Sequence, residues 1–230
     1  MYQGYRIGAV LLMGGAGVRF GNTTPKQFCL LGGKPLYRYA LQTFFETGVF
    51  DEIVLVCHAG WMVKEEGVRT VVGGATRQES SRAGLGGFLE APEFVVIHDA
   101  VRPFVDLDTI RRVIEEAAVT GAAIVGIVPV DTVKQVSGAQ AGGAKVRATI
   151  SRERLILAQT PQVFRYDVLR RAFEAARRDN FYGTDESSLV ERLDQVEISV
   201  VLGSDRNIKI TRPSDMDLAR LLFEQETARR

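Results

Sequence analysis

The chain has 230 residues, with 29 lysines and arginines against 28 aspartates and glutamates, and so a formal net charge of +1. This length suits one large α/β domain, and so balanced a charge excludes the broad positive field with which proteins wrap nucleic acid. No apolar run is long enough for a signal peptide or a membrane helix, and 2 cysteines are too few for a disulfide framework, so we expect a cytoplasmic protein that binds small molecules.

Short apolar runs alternate with amphipathic stretches along the chain. The predicted strands are residues 7–12, 52–57, 68–72, 94–98, 122–128 and 196–202. The predicted helices are residues 36–47, 78–90, 108–120, 167–178 and 213–226. Several of the strands are apolar at nearly every position, as expected of strands that helices cover on both faces. This pattern predicts an α/β fold with a doubly wound, mostly parallel, Rossmann-like sheet.

The first predicted strand runs into a glycine-rich loop, residues 13–21 (MGGAGVRFG), which PKQ follows at 25–27. Glycine permits the conformations in which consecutive backbone N–H groups converge on phosphate oxygens, and Arg19 and Lys26 add positive charge. A P-loop is excluded, because its lysine is followed by Ser or Thr, whereas Gln27 follows Lys26 here. A dinucleotide-binding fingerprint is excluded, because it needs a third glycine in register and the loop has none there. The loop therefore predicts a polyphosphate site of another kind, and a plain turn with solvated charges is the alternative.

Polar residues follow two later strands, at the edge where open α/β sheets bind ligands. Asp99 could hold a hard cation that bridges phosphates, and Arg102 could bind a phosphate group with both arms of its guanidinium. An ion-paired turn is the alternative, and His98 is interpreted as a packed residue rather than a metal ligand. Near the C-terminus Lys209 alternates with two isoleucines, which predicts an ammonium in a cleft, with an edge-strand lysine as the alternative.

Residues 131–150 break the alternation of strands and helices. Two partly alternating runs flank a glycine-rich turn at 137–144, which predicts a protruding β-hairpin arm. A two-stranded hairpin is only marginally stable in water. We therefore expect the arm to rest on a second subunit and make a homodimer; a solvated connection is the alternative.

Eight blocks of sequence, between about residues 7 and 222, together resemble the 2-C-methyl-D-erythritol 4-phosphate cytidylyltransferase family, CTP-dependent enzymes of the non-mevalonate isoprenoid pathway. The blocks are the glycine-rich loop with Arg19, PKQ at 25–27, GGATRQES at 73–80, HDAVRP at 98–103, VDTVK at 130–134, QTPQ at 159–162, TDE at 184–186 and NIKITRP at 207–213. The resemblance implies one nucleotidyltransferase domain over 1–230 with a dimerisation arm at 131–150. It also implies CTP as co-substrate and Mg²⁺ as the divalent metal.

The resemblance further implies roles for individual residues. The triphosphate would lie on Met13, Gly14, Gly15, Ala16, Gly17, Arg19 and Lys26, and cytosine and ribose would contact Gly74, Ala75 and Ser80. Asp99 would ligate Mg²⁺ and, with Arg102, Thr132, Arg152 and Thr160, would face the acceptor, in part from the neighbouring subunit's arm. Arg19, Lys26 and Lys209 would be the catalytic cations. The sequence departs from the family at 13–14, where Ala-Ala is common, and at Ala75, where Asp is frequent, so a base contact there would rest on the backbone.

The chemistry that the resemblance implies needs no general base. A phosphate monoester is largely dianionic near neutral pH, since its second pKa is about 6, and can itself attack the α-phosphate of CTP. The site must align the attacking and leaving oxygens and offset charge on the departing pyrophosphate. Two alternatives remain, a related cytidylyltransferase that uses D-ribitol 5-phosphate and a non-catalytic nucleotide-binding module. Mere binding would not require cations from both ends of the chain, which argues against the second.

Overall fold

A twisted mixed sheet with helices on both faces makes up most of the molecule. The computed structural model describes residues 1–15, 24–138 and 144–229. The strands are β1 Ile7–Met13, β2 Leu30–Leu31, β3 Lys34–Pro35, β4 Glu52–Cys57, β5 Val68–Val72, β6 Phe94–Asp99, β7 Ala122–Ile127, β8 Val133–Ser137, β9 Lys145–Ile150, β10 Leu157–Arg165 and β11 Ser199–Leu202. The helices are α1 Leu36–Thr47, α2 Arg77–Leu85, α3 Leu107–Thr120, α4 Tyr166–Arg178, α5 Glu186–Leu193 and α6 Pro213–Arg229.

Within these residues the main sheet has seven strands in the order β11-β7-β10-β6-β1-β4-β5. Its neighbouring strands are parallel except at β10, which runs antiparallel to both β6 and β7. The predicted fold class, a mostly parallel α/β sheet, is therefore confirmed. In this part of the chain, no helix is long and apolar enough to cross a membrane.

Alternation along β1 explains why helices cover both faces of the sheet. Ile7, Ala9 and Leu11 pack in one apolar cluster with side chains of α1 and α3. Val10 and Leu12 pack in a second cluster with side chains of α2, α4 and α5. Successive side chains of a strand point to opposite faces, so a strand that is apolar throughout is stable only when both faces are covered. The sheet is doubly wound, as predicted.

One predicted helix is too long. α2 ends at Leu85 rather than at residue 90, because Gly86 and Gly87 turn the chain back towards the sheet. A β-carbon on Gly87 would lie 2.9 Å from a methyl of Val71 and 3.0 Å from one of Val54. The turn packs so tightly on the sheet that only glycine fits without displacement. The last predicted strand is also shorter than expected, since β11 begins at residue 199 rather than 196.

Besides the two-residue strands β2 and β3, two elements, β10 and α5, escape prediction from the sequence. β10 carries polar residues and Pro161, and its register with β7 shifts between Ala158 and Gln162. Proline cannot donate to a sheet ladder, so this run does not have the pattern of a central strand. α5 has eight residues, too few for its helical period to stand out.

A two-stranded hairpin forms where residues 131–150 predict one. β8 and β9 pair antiparallel from Val133 and Ile150 to Ser137 and Lys145. Most of their side chains are exposed. Residues 139–143, in the predicted turn, lie outside the described residues.

Candidate active site

Two of the predicted site residues, Met13 and Asp99, lie at one edge of the sheet, where β1, β4 and β6 end. In the parallel ladder Met13 lies beside Cys57, and Leu12 lies beside Asp99. The carboxyl ends of these strands therefore meet, at the edge where open α/β sheets bind ligands.

Asp99 is buried and lies at the centre of a group of charged side chains. Its Oδ2 atom is 2.8 Å from Lys209 Nζ and 3.7 Å from Arg102 Nε, and its Oδ1 atom is 3.3 Å from Arg77 Nε. Burial alone would raise the pKa of Asp99, but the charges of Arg77, Lys209 and Arg102 together lower it well below its usual range. Asp99 is therefore ionised, and it holds three cations at the end of β6.

Arg77 also binds a second buried carboxylate. Its Nη1 atom donates to Glu186 Oε1 at 2.9 Å, although the two residues lie 109 positions apart in the chain. Burial raises the pKa of Glu186, and it lowers that of Arg77, but the facing charges of Glu186 and Asp99 raise the pKa of Arg77 on balance. Three cations thus face two carboxylates, which leaves a net charge of +1.

His98 is a packed residue, as predicted, and it orients Thr160. The ring is fully buried, and burial lowers the pKa of His98 to about 3, so the imidazole is neutral near pH 7. Its Nε2 faces the carbonyl of Arg102 at 3.4 Å and must carry the ring proton, because a carbonyl only accepts. Nδ1 therefore accepts from the Thr160 hydroxyl at 3.1 Å, and that hydroxyl accepts from the backbone N–H of Asp99, also at 3.1 Å.

Lys209 reaches Asp99 on an extended segment that forms no sheet strand within the described residues. The N–H of Ile210 donates to the Val101 carbonyl at 3.0 Å, and Arg102 Nη1 donates to the Asn207 carbonyl at 2.7 Å. Ile210 is buried while Lys209 is partly exposed. The alternation in the sequence therefore places the Lys209 ammonium in the cleft.

Gln27 fixes the start of the glycine-rich loop. Its side-chain amide donates to the carbonyls of Met13, at 2.7 Å, and Gly15, at 3.1 Å. Lys26, next to it, is partly buried and begins a short 3₁₀ turn. The predicted residues Ala16, Gly17 and Arg19 lie outside the described residues. The role of Gln27 could have been inferred only from its place in the PKQ block.

The loop that precedes α2 approaches the glycine-rich loop. A β-carbon on Gly14 would lie 3.4 Å from Ser80 Oγ, so these two predicted nucleotide-binding residues are neighbours. The Ser80 hydroxyl donates to the Thr76 carbonyl at 2.9 Å. Gly74 leaves no room for a side chain, because a β-carbon there would lie 2.3 Å from that of Glu79. Ala75 lies in the same exposed loop.

The two predicted residues at the base of the arm, Thr132 and Arg152, lie apart from Asp99. Both are exposed, and the Arg152 guanidinium donates to the carbonyl of Val130. As far as the chain is described, neither side chain makes a hydrogen bond or ion pair with Asp99 or its cations.

A cavity of about 350 Å³ opens beside the charged group. Its lining includes Arg102, Lys209, Gln159, Asn207, Asp205 and Asp215. A larger cavity of about 540 Å³ lies between the 3₁₀ turn and α6 and shares none of these residues. The smaller cavity is therefore the one that continues the predicted site.

The protein groups near Asp99 fit a metal that arrives with its ligand rather than a resident metal. Among residues 1–15, 24–138 and 144–229, no group of three His, Cys, Asp or Glu side chains could hold a metal ion. Mg²⁺ is commonly held by one or two carboxylates together with substrate phosphates. Asp99 can supply one carboxylate oxygen, Oδ2, to such an ion once phosphates draw away Lys209 and Arg102.

Comparison with known proteins finds one family along nearly the whole chain. A family model described as 2-C-methyl-D-erythritol 4-phosphate cytidylyltransferase matches residues 7–225. Proteins of that name from Solibacter usitatus and Syntrophus aciditrophicus are 49% and 38% identical, each over 97% of this chain and 98% of the relative. The crystal structure of 4-diphosphocytidyl-2C-methyl-D-erythritol synthase from Anaerococcus prevotii is similar at a TM-score of 0.83 and 28% identity, over 96% of this chain and 100% of that one.

Proposed function

Because the chain belongs to the 2-C-methyl-D-erythritol 4-phosphate cytidylyltransferase family, we propose that it transfers the cytidylyl group of CTP to 2-C-methyl-D-erythritol 4-phosphate and releases pyrophosphate. The observation that carries this proposal is the group of three cations, Arg77, Arg102 and Lys209, around Asp99, at the sheet edge where two phosphate-bearing substrates would meet. Relatives that match over nearly the full chain carry the methylerythritol phosphate name, so neither the ribitol phosphate enzyme nor the non-catalytic module is favoured.

The reaction is an in-line displacement at phosphorus. An oxygen of the acceptor phosphate forms a bond to the α-phosphorus of CTP, and the bond from that phosphorus to the oxygen of the β-phosphate breaks. The acceptor is already largely dianionic, so no proton has to be removed. His98 has no catalytic part in this scheme, because its one unprotonated nitrogen, Nδ1, already accepts a hydrogen bond from the Thr160 hydroxyl.

The chain contributes charge and position. Lys209 would move from Asp99 to an α-phosphate oxygen, and Lys26, Arg19 and the loop 13–17 would hold the triphosphate. Gly74, Ala75 and Ser80 would contact cytosine and ribose. Arg102 and Thr160 would face the acceptor from one subunit, with Thr132 and Arg152 from the base of the other subunit's arm. The Thr160 hydroxyl already donates to His98, so towards a substrate it could only accept.

Asp99 would hold Mg²⁺ jointly with phosphate oxygens of CTP. When bound, the ion would offset negative charge on the triphosphate. Lys209 and Arg102 have a matching role, since phosphates must attract both cations away from the Oδ2 atom of Asp99 before that oxygen can ligate a metal.

We place the whole chain, 1–230, in one nucleotidyltransferase domain and propose that the arm, 131–150, docks on a second subunit. A two-stranded hairpin is only marginally stable alone, and Val136 and Val146, one on each strand of the arm, are 41% and 63% exposed and so accessible to a second subunit. The cytoplasm is the proposed location, and the free thiols of Cys29 and Cys57 suit a reducing compartment.

The test is pyrophosphate release from CTP with each candidate acceptor. We expect 2-C-methyl-D-erythritol 4-phosphate to be preferred over D-ribitol 5-phosphate by at least about a hundredfold in kcat/KM, because a wrong polyol leaves buried polar groups unpaired. Lys209→Ala should lower kcat/KM by about a hundredfold or more. Arg170→Ala, which removes an exposed cation of α4, is the matched control and should keep full activity. Equal use of both acceptors would refute the assignment of the acceptor, and full turnover in Lys209→Ala would refute the proposed site.

A further inference from the structure

The pair formed by Arg77 and Glu186 has no role in the mechanism above, yet it lies directly behind Asp99. Arg77 is the first residue of α2 and Glu186 the first residue of α5. Glu186 is 1% exposed and makes its ion pair only with Arg77 among the residues described. Burying a carboxylate is costly, and a buried ion pair is seldom a net source of stability. This pair therefore calls for another explanation.

Glutamine side chains anchor both ends of the pair. Beside Arg77, the Gln78 amide donates to the Phe181 carbonyl at 3.1 Å and accepts from the Gly183 N–H at 2.9 Å. Ahead of Glu186, the Gln162 amide of β10 donates to the Asp185 carboxylate at 2.8 Å, and its oxygen accepts from the Ser187 N–H at 3.1 Å. The starts of α2 and α5 are thus fixed to each other and to the strand next to β6.

The contacts continue from this anchored pair to the reacting centre. Glu186 Oε1 accepts from Arg77 Nη1 at 2.9 Å, and Arg77 Nε lies 3.3 Å from Asp99 Oδ1. One planar guanidinium therefore bridges two carboxylates through different nitrogens, a geometry that the single ammonium of a lysine cannot reproduce. With Oδ1 occupied, the Oδ2 atom of Asp99 is the one directed to Lys209, at 2.8 Å.

We propose that Glu186 and Arg77 are positioning residues: Glu186 fixes Arg77, and Arg77 fixes one oxygen of Asp99 so that the other faces Lys209 and the substrates. This inference rests on the proposed function, since it concerns the cations that meet the phosphates. Neither residue has to touch a substrate. Without Glu186, the Arg77 guanidinium would be free to bind both oxygens of Asp99 and compete with Lys209.

The test is a double-mutant cycle in steady-state kinetics. Glu186→Gln keeps the shape of the side chain but removes its charge, and we expect kcat to fall about tenfold, with the KM values for CTP and acceptor within about twofold of wild type. In an Asp99→Asn background, Glu186→Gln should lower kcat by less than about twofold, because the carboxylate that Glu186 positions through Arg77 is already gone. Glu174→Gln, in an exposed ion pair of α4, is the matched control and should leave both backgrounds unchanged.

A purely structural role for the pair predicts a different result. Glu186→Gln would then lower activity by the same factor in both backgrounds, in step with a lower Tm, and this outcome would overturn the proposal. Arg77→Lys is the second variant, which retains the charge; recovery of wild-type kcat by this variant would also overturn it. Absence of turnover in the wild-type protein would instead refute the proposed function.

Discussion

We expect the free energy of unfolding of this protein to fall as the pH falls below 6.5, and replacing His98 with asparagine should make this decrease smaller. The buried imidazole has a pKa of about 3, against 6.5 for an ordinary histidine. Between these pH values His98 is protonated in the unfolded chain but not in the folded protein, so the free energy of unfolding falls as the pH falls. Asparagine does not titrate, and its amide can still meet the Thr160 hydroxyl.

The magnitude follows from the two pKa values. Each pH unit below 6.5 costs about 1.4 kcal/mol, so by about pH 4.5 His98 should have removed about 2.7 kcal/mol of stability. A folded-state pKa one unit higher would change this figure by only about 0.1 kcal/mol, because it would still lie below the pH of the measurement. Above pH 6.5 the unfolded chain no longer takes up this proton, so His98 no longer lowers the free energy of unfolding.

The assay is urea unfolding of the metal-free protein, in EDTA, at neutral pH and at about pH 4.5. Between the two pH values, the free energy of unfolding of His98→Asn should fall by about 2.7 kcal/mol less than that of the wild-type protein, whatever the stability of the variant at neutral pH. His58→Asn is the matched control, because it replaces a histidine whose side chain is exposed rather than buried. Equal losses in wild type and His98→Asn would refute the buried, neutral imidazole and the orientation of Thr160 that depends on it.

Two further predictions concern the packing of α2 and the arm. Gly84→Ala should lower the free energy of unfolding by about 1–3 kcal/mol, because its β-carbon would lie 2.3 Å from a methyl of Val10. Gly86→Ala, whose β-carbon would meet nothing nearer than 3.7 Å, should be close to neutral, and equal stabilities of the two variants in urea would contradict the packing. Joint replacement of Val136 and Val146 by aspartate should turn dimers into monomers in light scattering and abolish turnover, whereas Val119→Asp on α3, 85% exposed, should do neither. A fully active wild-type monomer would rule out the proposed arm contact.

The sequence predicts the fold well where apolar pattern and burial coincide. β1 and β4 can be predicted because each is apolar along its buried length, and α3 because its polar and apolar faces are distinct. β10 cannot, since proline and glutamines interrupt it in the middle of the sheet. Its place depends on contacts with β6 and β7 that no local pattern encodes.

Some residues of the site can likewise be predicted from local sequence signals, and others cannot. The carboxyl end of β6 and the alternation around Lys209 are local signals, and the sequence alone is enough to indicate Asp99 and Lys209. Arg77 and Glu186 are different, because the ion pair joins residues 109 positions apart and exists only once α2 and α5 are in place. The hydrogen bonds of Gln27 to the glycine-rich loop are likewise tertiary, since a side chain in a later turn satisfies the carbonyls of Met13 and Gly15.

The most direct test of the central claim follows the oxygen atoms of the acceptor. The enzyme is incubated with CTP and 2-C-methyl-D-erythritol 4-phosphate labelled with ¹⁸O in its phosphate, and the products are examined by ³¹P NMR. Attack of the acceptor phosphate on the α-phosphorus puts an ¹⁸O atom in the bridge of the new diphosphate and leaves the released pyrophosphate unlabelled. Label in the pyrophosphate, or a product without a labelled bridge, would contradict the account.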